Sequence, residues 1–149
     1  MVTGVDRSAE AITTAKKFGP AICADIESNP WPLRQHNRPQ QFGAVIVTNY
    51  LWRPLFPTII QSLAPGGILI YETFSHGNET VGKPSNPDFL LRPAELLSVF
   101  RDLQLIAFEE GFLQNPPRFV QRIAAVRPDA KPAGTQPLRR QALDAQHSR

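Results

Sequence analysis

Two aspartates stand where short apolar runs stop. Asp6 follows Val2-Thr3-Gly4-Val5 and precedes Ser8, while Asp25 follows Ala21-Ile22-Cys23-Ala24 and precedes Ile26. A carboxylate at a strand end is an ionised acceptor, and facing two donors it makes strong, geometrically selective hydrogen bonds. Each has a plainer reading too: Asp6 as a strand-end turn residue, Asp25 as the start of a loop. Asn49 and Tyr50 end a third apolar run, Phe42 to Thr48, with Trp52 close behind. Open α/β sheets gather ligands at the carboxyl ends of their strands, so Asn49 and Tyr50 are candidates for a site. Tyr50 and Trp52 are equally readable as core aromatics.

The remaining reactive side chains offer less. His36, His76 and His147 are scattered, with no carboxylate or cysteine at ligand spacing, so no metal is expected. His76 lies in a long polar loop, where it is either a base over a substrate or simply solvated. Cys23 is the only cysteine and no intrachain disulfide is possible, which points to a reducing compartment and a cytoplasmic protein. Its strand-like surroundings predict a buried, inert thiol. No apolar run reaches the roughly 18 residues of a membrane helix, and the first residues carry no signal-peptide pattern. The formal net charge is +3, of which Lys131, Arg139, Arg140 and Arg149, against Asp129 and Asp144, hold two. No concentrated basic face remains for nucleic acid.

The elements that must carry these residues can be read from pattern. Val2 to Val5 predict a strand. Ser8 caps a helix with Ala9, Ile12 and Ala15 on one face, ended by Gly19-Pro20. Ala21 to Ala24 predict a second strand, Glu27 to Gln41 a surface connection, and Phe42 to Thr48 a buried parallel strand. A helix from about Pro57 presents Ile59, Ile60 and Leu63, and Pro65-Gly66-Gly67 turns the chain into a strand over Ile68 to Phe74. Ser75 to Leu91 form a long polar loop of the kind that carries function or stays disordered. Pro93 opens a helix with Leu96, Leu97, Phe100 and Leu103 facing the core. Gln104 to Glu110 and Arg118 to Val126 then pair antiparallel across Asn115-Pro116-Pro117. The expectation is one domain over residues 1–127 and a disordered basic tail over 128–149. Strands alternating with helices, and a late hairpin, predict a three-layer α/β sandwich with a mostly parallel sheet.

With these residues in place, the chain from Val2 to Val126 resembles the class I S-adenosylmethionine-dependent methyltransferases. The resemblance rests on Val5-Asp6-Arg7-Ser8, Asp25-Ile26, Asn49-Tyr50 and the turn Leu63-Ala64-Pro65-Gly66-Gly67. A finer likeness, to small bacterial methyltransferases of the tellurite-resistance type, rests on Asn49 to Leu55 and on Tyr71 to Leu96. The resemblance implies a Rossmann-like fold and S-adenosylmethionine as cofactor. It implies Asp6 as acceptor for both ribose hydroxyls, Asp25 for the adenine amino group and the Ile26 N–H for a ring nitrogen. Asn49 and Tyr50 would border the methyl-transfer site, and Tyr50, Trp52, Glu72, Asn78 and Glu79 would line the acceptor pocket. The catalytic residue and the small-molecule acceptor are left open.

Two departures stand out. Phe42-Gly43 replaces the family's usual Phe-Asp, a change at a turn. The first strand of the family and its glycine-rich loop have no counterpart here, although that strand lies centrally, between those of Val2–Val5 and Phe42–Thr48. The resemblance therefore implies further residues before Met1, or a partner that completes the sheet. Two rivals stay open. A nicotinamide-dependent oxidoreductase would also use an acidic strand end, but the chain has no G-x-G-x-x-G and no Tyr-x-x-x-Lys. The other is a truncated remnant or interaction module that binds no cofactor.

Overall fold

The computed structural model describes residues 2–129. Its strands are β1 (Gly4–Asp6), β2 (Ala21–Cys23), β3 (Arg34–Gln35), β4 (Arg38–Pro39), β5 (Phe42–Thr48), β6 (Leu63–Phe74), β7 (Gln104–Gln114) and β8 (Pro117–Val126). Three short α-helices, α1 (Ala9–Ala15), α2 (Phe56–Gln61) and α3 (Glu95–Val99), lie between them. The expected tail lies outside the described residues except for Pro128 and Asp129.

The result is an α/β, Rossmann-like fold with two parallel pairs and an antiparallel end. β1 pairs parallel with β2, from Gly4↔Ala21 to Asp6↔Cys23. β5, β6, β8 and β7 form a second sheet in that order. In it β5 runs parallel to β6, while β8 is antiparallel to both β6 and β7. Among the described residues nothing pairs with the second edge of β1 or of β5.

One face of the larger sheet is buried under α2, α3 and the chain around them. Alternation along β6 turns Leu69, Tyr71 and Thr73 inward, each nearly inaccessible. Phe56, Tyr71 and Phe100 pack as a tilted trio with ring centroids 5.6–6.1 Å apart, within the range where aromatic edges meet faces. Leu55, Ile59, Leu96, Leu103 and Ile123 surround them. On the opposite face Ile46, Ile68 and Ile70 are 65%, 41% and 45% exposed. The small sheet is tied to this core by Ile26 and Trp31, which pack against it.

Several boundaries differ from the sequence expectation for local reasons. The first strand is Gly4–Asp6, because its ladder starts only where Ala21 stands opposite; Val2 is 80% exposed. The Pro65-Gly66-Gly67 turn does not separate helix from strand but bulges out within β6, between the pairs Phe42↔Leu63 and Ala44↔Ile68. Gly66 takes φ 73° there, and a Cβ on Gly67 would meet the Phe42 carbonyl oxygen at 2.9 Å. The connection from Glu27 to Gln41 contains the β3–β4 hairpin. α3 starts two residues after Pro93, and β7 runs to Gln114. Cys23 is exposed rather than buried, since no layer covers its side of the two-stranded sheet; its thiol lies 3.5 Å from the Arg7 carbonyl.

Candidate functional site

Asp6, Asp25 and Asn49 stand at the carboxyl ends of β1, β2 and β5, where a parallel sheet presents unpaired backbone. Asp6 Oδ1 accepts the Ser8 N–H at 2.7 Å, and Ser8 Oγ accepts the Ala11 N–H at 3.2 Å, capping α1. Oδ2 of Asp6 makes no hydrogen bond with the described residues, and the side chain is exposed. Asp25 Oδ1 accepts the N–H groups of Glu27 (3.0 Å) and Ser28 (3.3 Å). The Glu27 N–H bond, then the Ser28 bonds, hold the Asp25 carboxyl below its ordinary value, because each favours the ionised form.

Tyr50 joins the two sheets at this end. Its hydroxyl donates to Glu27 Oε1 at 3.3 Å, and its carbonyl accepts the buried Tyr71 hydroxyl at 2.7 Å. Burial, followed by the Glu27 carboxylate, pushes the Tyr50 phenol well above the usual tyrosine range, while Arg7 pulls the other way. Arg7 also acts on Asp25. Arg7, Asp25, Glu27 and Tyr50 thus form one electrostatic group, of which sequence reasoning nominated only Asp25 and Tyr50. Arg7 had a signal, its place between Asp6 and Ser8; Glu27 had none.

Asn49 is in the left-handed region, φ 52°, with its N–H donating to the Glu72 carbonyl at 2.9 Å. A non-glycine residue in that conformation is uncommon and is concentrated at functional or tightly determined positions. Ile26 and Trp52 are half-buried against the core. The Trp31 indole N–H is buried with no hydrogen-bond partner.

The residues nominated from the long loop are placed differently. Asn78 is 1% exposed; its Nδ2 donates to the Pro84 carbonyl at 3.0 Å and its Oδ1 accepts the Phe119 N–H at 3.2 Å. Glu79 accepts the Gly77 N–H at 2.8 Å and lies 3.1 Å from His76 Nδ1. Gly77 has φ 102°, and a Cβ there would press to 3.0 Å on the Phe119 ring. Glu72 meets Arg122 Nε at 2.6 Å and Arg118 Nη2 at 3.2 Å. Arg53, inside the Asn49 to Leu55 segment, holds the end of the loop. It pairs with Glu95 at 2.7 Å and 3.0 Å, and donates to the carbonyls of Asp88 (2.7 Å) and Leu90 (2.9 Å). Among the described residues, no three His, Cys, Asp or Glu side chains cluster as a metal site, and no helix is long and apolar enough to cross a membrane.

Solved structures share this fold. The chain superposes on TehB from Haemophilus influenzae with a TM-score of 0.62 at 16% identity, over 85% of this chain and 49% of that one. The N-methyltransferase NodS from Bradyrhizobium japonicum gives 0.62 at 15%, over 85% and 73%, and has also been solved with S-adenosylhomocysteine. The [4+2]-cyclase SpnF gives 0.58 at 14%, over 87% and 66%. The chain has the class I methyltransferase fold. It spans about half the length of the TehB structure it matches. No protein-family model matches the sequence, and no curated protein does.

Proposed function

We propose that this chain binds S-adenosylmethionine at the carboxyl ends of β1, β2 and β5 and serves methyl transfer to a small acceptor, in a cytoplasmic setting. The observation that carries the reading is the pair of carboxylates at the ends of β1 and β2, Asp6 with an unengaged Oδ2 and Asp25 acting on Tyr50. The adenosine half of the cofactor offers two vicinal hydroxyls and an exocyclic amine, all donors. Asp6 Oδ2 is an unengaged acceptor at the end of β1, suited to the hydroxyl pair. Asp25 is held ionised by its own turn, so it accepts rather than donates, and the N–H of Ile26 lies next to it. The donor and acceptor types therefore fit that half of the molecule.

When bound, S-adenosylmethionine supplies a methyl group already activated by its sulfonium. What the protein must add is alignment of the acceptor atom, the contribution that proximity makes largest. Asn49 is fixed in its left-handed conformation by the Glu72 carbonyl, and Tyr50 is fixed from two sides; both would border the acceptor without giving up a proton. The acceptor itself is a small molecule in this reading. The same fold is carried by a cyclase as well as by methyltransferases, so the reaction belongs to the site and not to the fold.

The unpaired edges of β1 and β5 favour a second reading for the chain by itself: a module that binds cofactor only once a further strand pairs with them. No residue of β1 or β5 is buried, so these edges keep free backbone donors and acceptors that a further strand could pair with. Calorimetric titration of the folded chain with S-adenosylhomocysteine and, separately, with NADH separates the readings. Saturable binding of the first that weakens about tenfold in Asp6→Asn supports cofactor binding at the strand ends. Binding of NADH alone overturns it, and two flat titrations favour the module.

A further inference from the structure

The amino end of β5 carries a second feature, independent of the aspartates. β3 and β4 are joined by His36 and Asn37, with φ of 49° and 61°. Two successive positive φ values make the tight turn whose twist suits a hairpin. Arg34 Nη2 donates to the Asn37 carbonyl at 2.7 Å and secures the tip. Because β4 leads within three residues into Phe42, the hairpin stands where β5 begins, at the far end of that strand from Asn49. It walls one side of an open hollow of about 920 Å³, which Gln41, Gln61 at the end of α2, and Arg127 just past β8 close on the other sides.

The charge around this hollow is one-sided. From Ser28 to Tyr71 the chain contains no Asp or Glu, and no carboxylate lines the hollow. Some arginines elsewhere are paired, Arg53 with Glu95 and Arg118 and Arg122 with Glu72; none of these lies at the hollow. The Arg38 side chain makes no hydrogen bond or ion pair with the described residues and is exposed. Arg127 is steadied by donating Nη1 to the Leu63 carbonyl, which leaves further N–H donors of its guanidinium available. The side-chain amides of Gln35, Gln41 and Gln61 add neutral donors, and His36 adds charge when protonated.

We propose that this hollow binds the phosphate group of a small phosphorylated molecule, with Arg38 and Arg127 as the charged contacts. A guanidinium presents paired N–H groups that match two phosphate oxygens, and such charge-assisted bonds are about twice as strong as neutral ones. The hollow exceeds one phosphate in size, so the organic part of the ligand would share it. A nucleic-acid backbone presents the same chemistry and is separated by experiment.

The test is a titration of the full chain with inorganic pyrophosphate and, separately, with a single-stranded oligonucleotide, followed by amide and side-chain NMR at constant ionic strength. Saturable shifts at Gln35, Arg38, Gln41, Gln61 and Arg127, with Asp6 and Asp25 unmoved, are the expected result. Arg38→Gln should raise the pyrophosphate Kd about tenfold without lowering Tm, whereas Arg101→Gln, an exposed arginine elsewhere, should leave it unchanged. Absence of saturable shifts overturns the proposal. So does equal weakening by both variants, which would mean diffuse electrostatics, or binding of the oligonucleotide alone.

Discussion

The strand ends around Asp6 and the loop around Asn78 hold similar polar residues in opposite conditions. At the strand ends bonding capacity is left over: Asp6 has an unused oxygen and Asn49 is exposed. In the loop it is used up. Asn78 has an engaged amide oxygen and nitrogen, Glu79 accepts the Gly77 N–H on one oxygen and has His76 Nδ1 3.1 Å from the other, and Arg53 serves Glu95 and two carbonyls. A polar group that folding has already satisfied contributes architecture, whereas one left unsatisfied at an exposed strand end has capacity for a ligand. The difference divides residues that look alike in a list of motifs.

Substitutions should sort along that division, and the largest loss of stability is expected for Asn78→Ala. It strips the Pro84 carbonyl and the Phe119 N–H of their partner, and at about 1–3 kcal/mol per orphaned group the cost is about 3 kcal/mol by urea denaturation. A loss below about 0.5 kcal/mol would place Asn78 with the ligand-facing residues instead. Arg53→Ala should cost about 2 kcal/mol, since it leaves the mostly buried Glu95 carboxylate without its partner. S-adenosylhomocysteine titration of the folded fraction should be unaltered in both variants.

The Arg53–Glu95 pair also predicts a pH dependence. Burial raises the Glu95 carboxyl, but the Arg53 hydrogen bond, the Arg92 N–H and both positive charges together hold it below its ordinary 4.5. A depressed folded-state value stabilises the protein above the unfolded value, and that contribution is lost as pH falls through the folded one. Stability should therefore decline below about pH 4.5, and Glu95→Gln should flatten that acid limb while lowering stability at neutral pH. An unchanged acid limb would remove Glu95 from the account. The smallest effect on stability is expected at Asp6→Asn, within about 0.5 kcal/mol, because an amide oxygen can still accept from Ser8.

Much of the framework was legible in sequence because it rests on local pattern. The apolar run of Phe42–Thr48 has the bounds of β5, but it is not the strand covered on both faces that the run predicts: none of its residues is buried and Ile46 is 65% exposed. Ser8 caps α1 as its position predicts. The β3–β4 hairpin was not legible, because His36-Asn37 reaches positive φ without the glycine that normally advertises such a turn. Cys23 misled because apolar neighbours predict burial only where a second layer exists. At the site, sequence placed Asp6, Asp25 and Asn49 at strand ends. It could not separate Glu72 and Asn78 from them, since the partners that occupy those side chains stand 50 and 41 residues away. Nor could it reveal the Glu27–Tyr50 contact, which exists only once the two sheets meet.

The central claim is that the strand ends accept an adenosine-bearing ligand while the loop does not. Two-dimensional NMR of the folded chain during addition of S-adenosylhomocysteine tests it most directly. The account predicts saturable shifts at Asp6, Asp25, Ile26 and Tyr50, with Asn78 and Glu79 still. Shifts centred on Asn78 and Glu79 with Asp6 and Asp25 unmoved would contradict it.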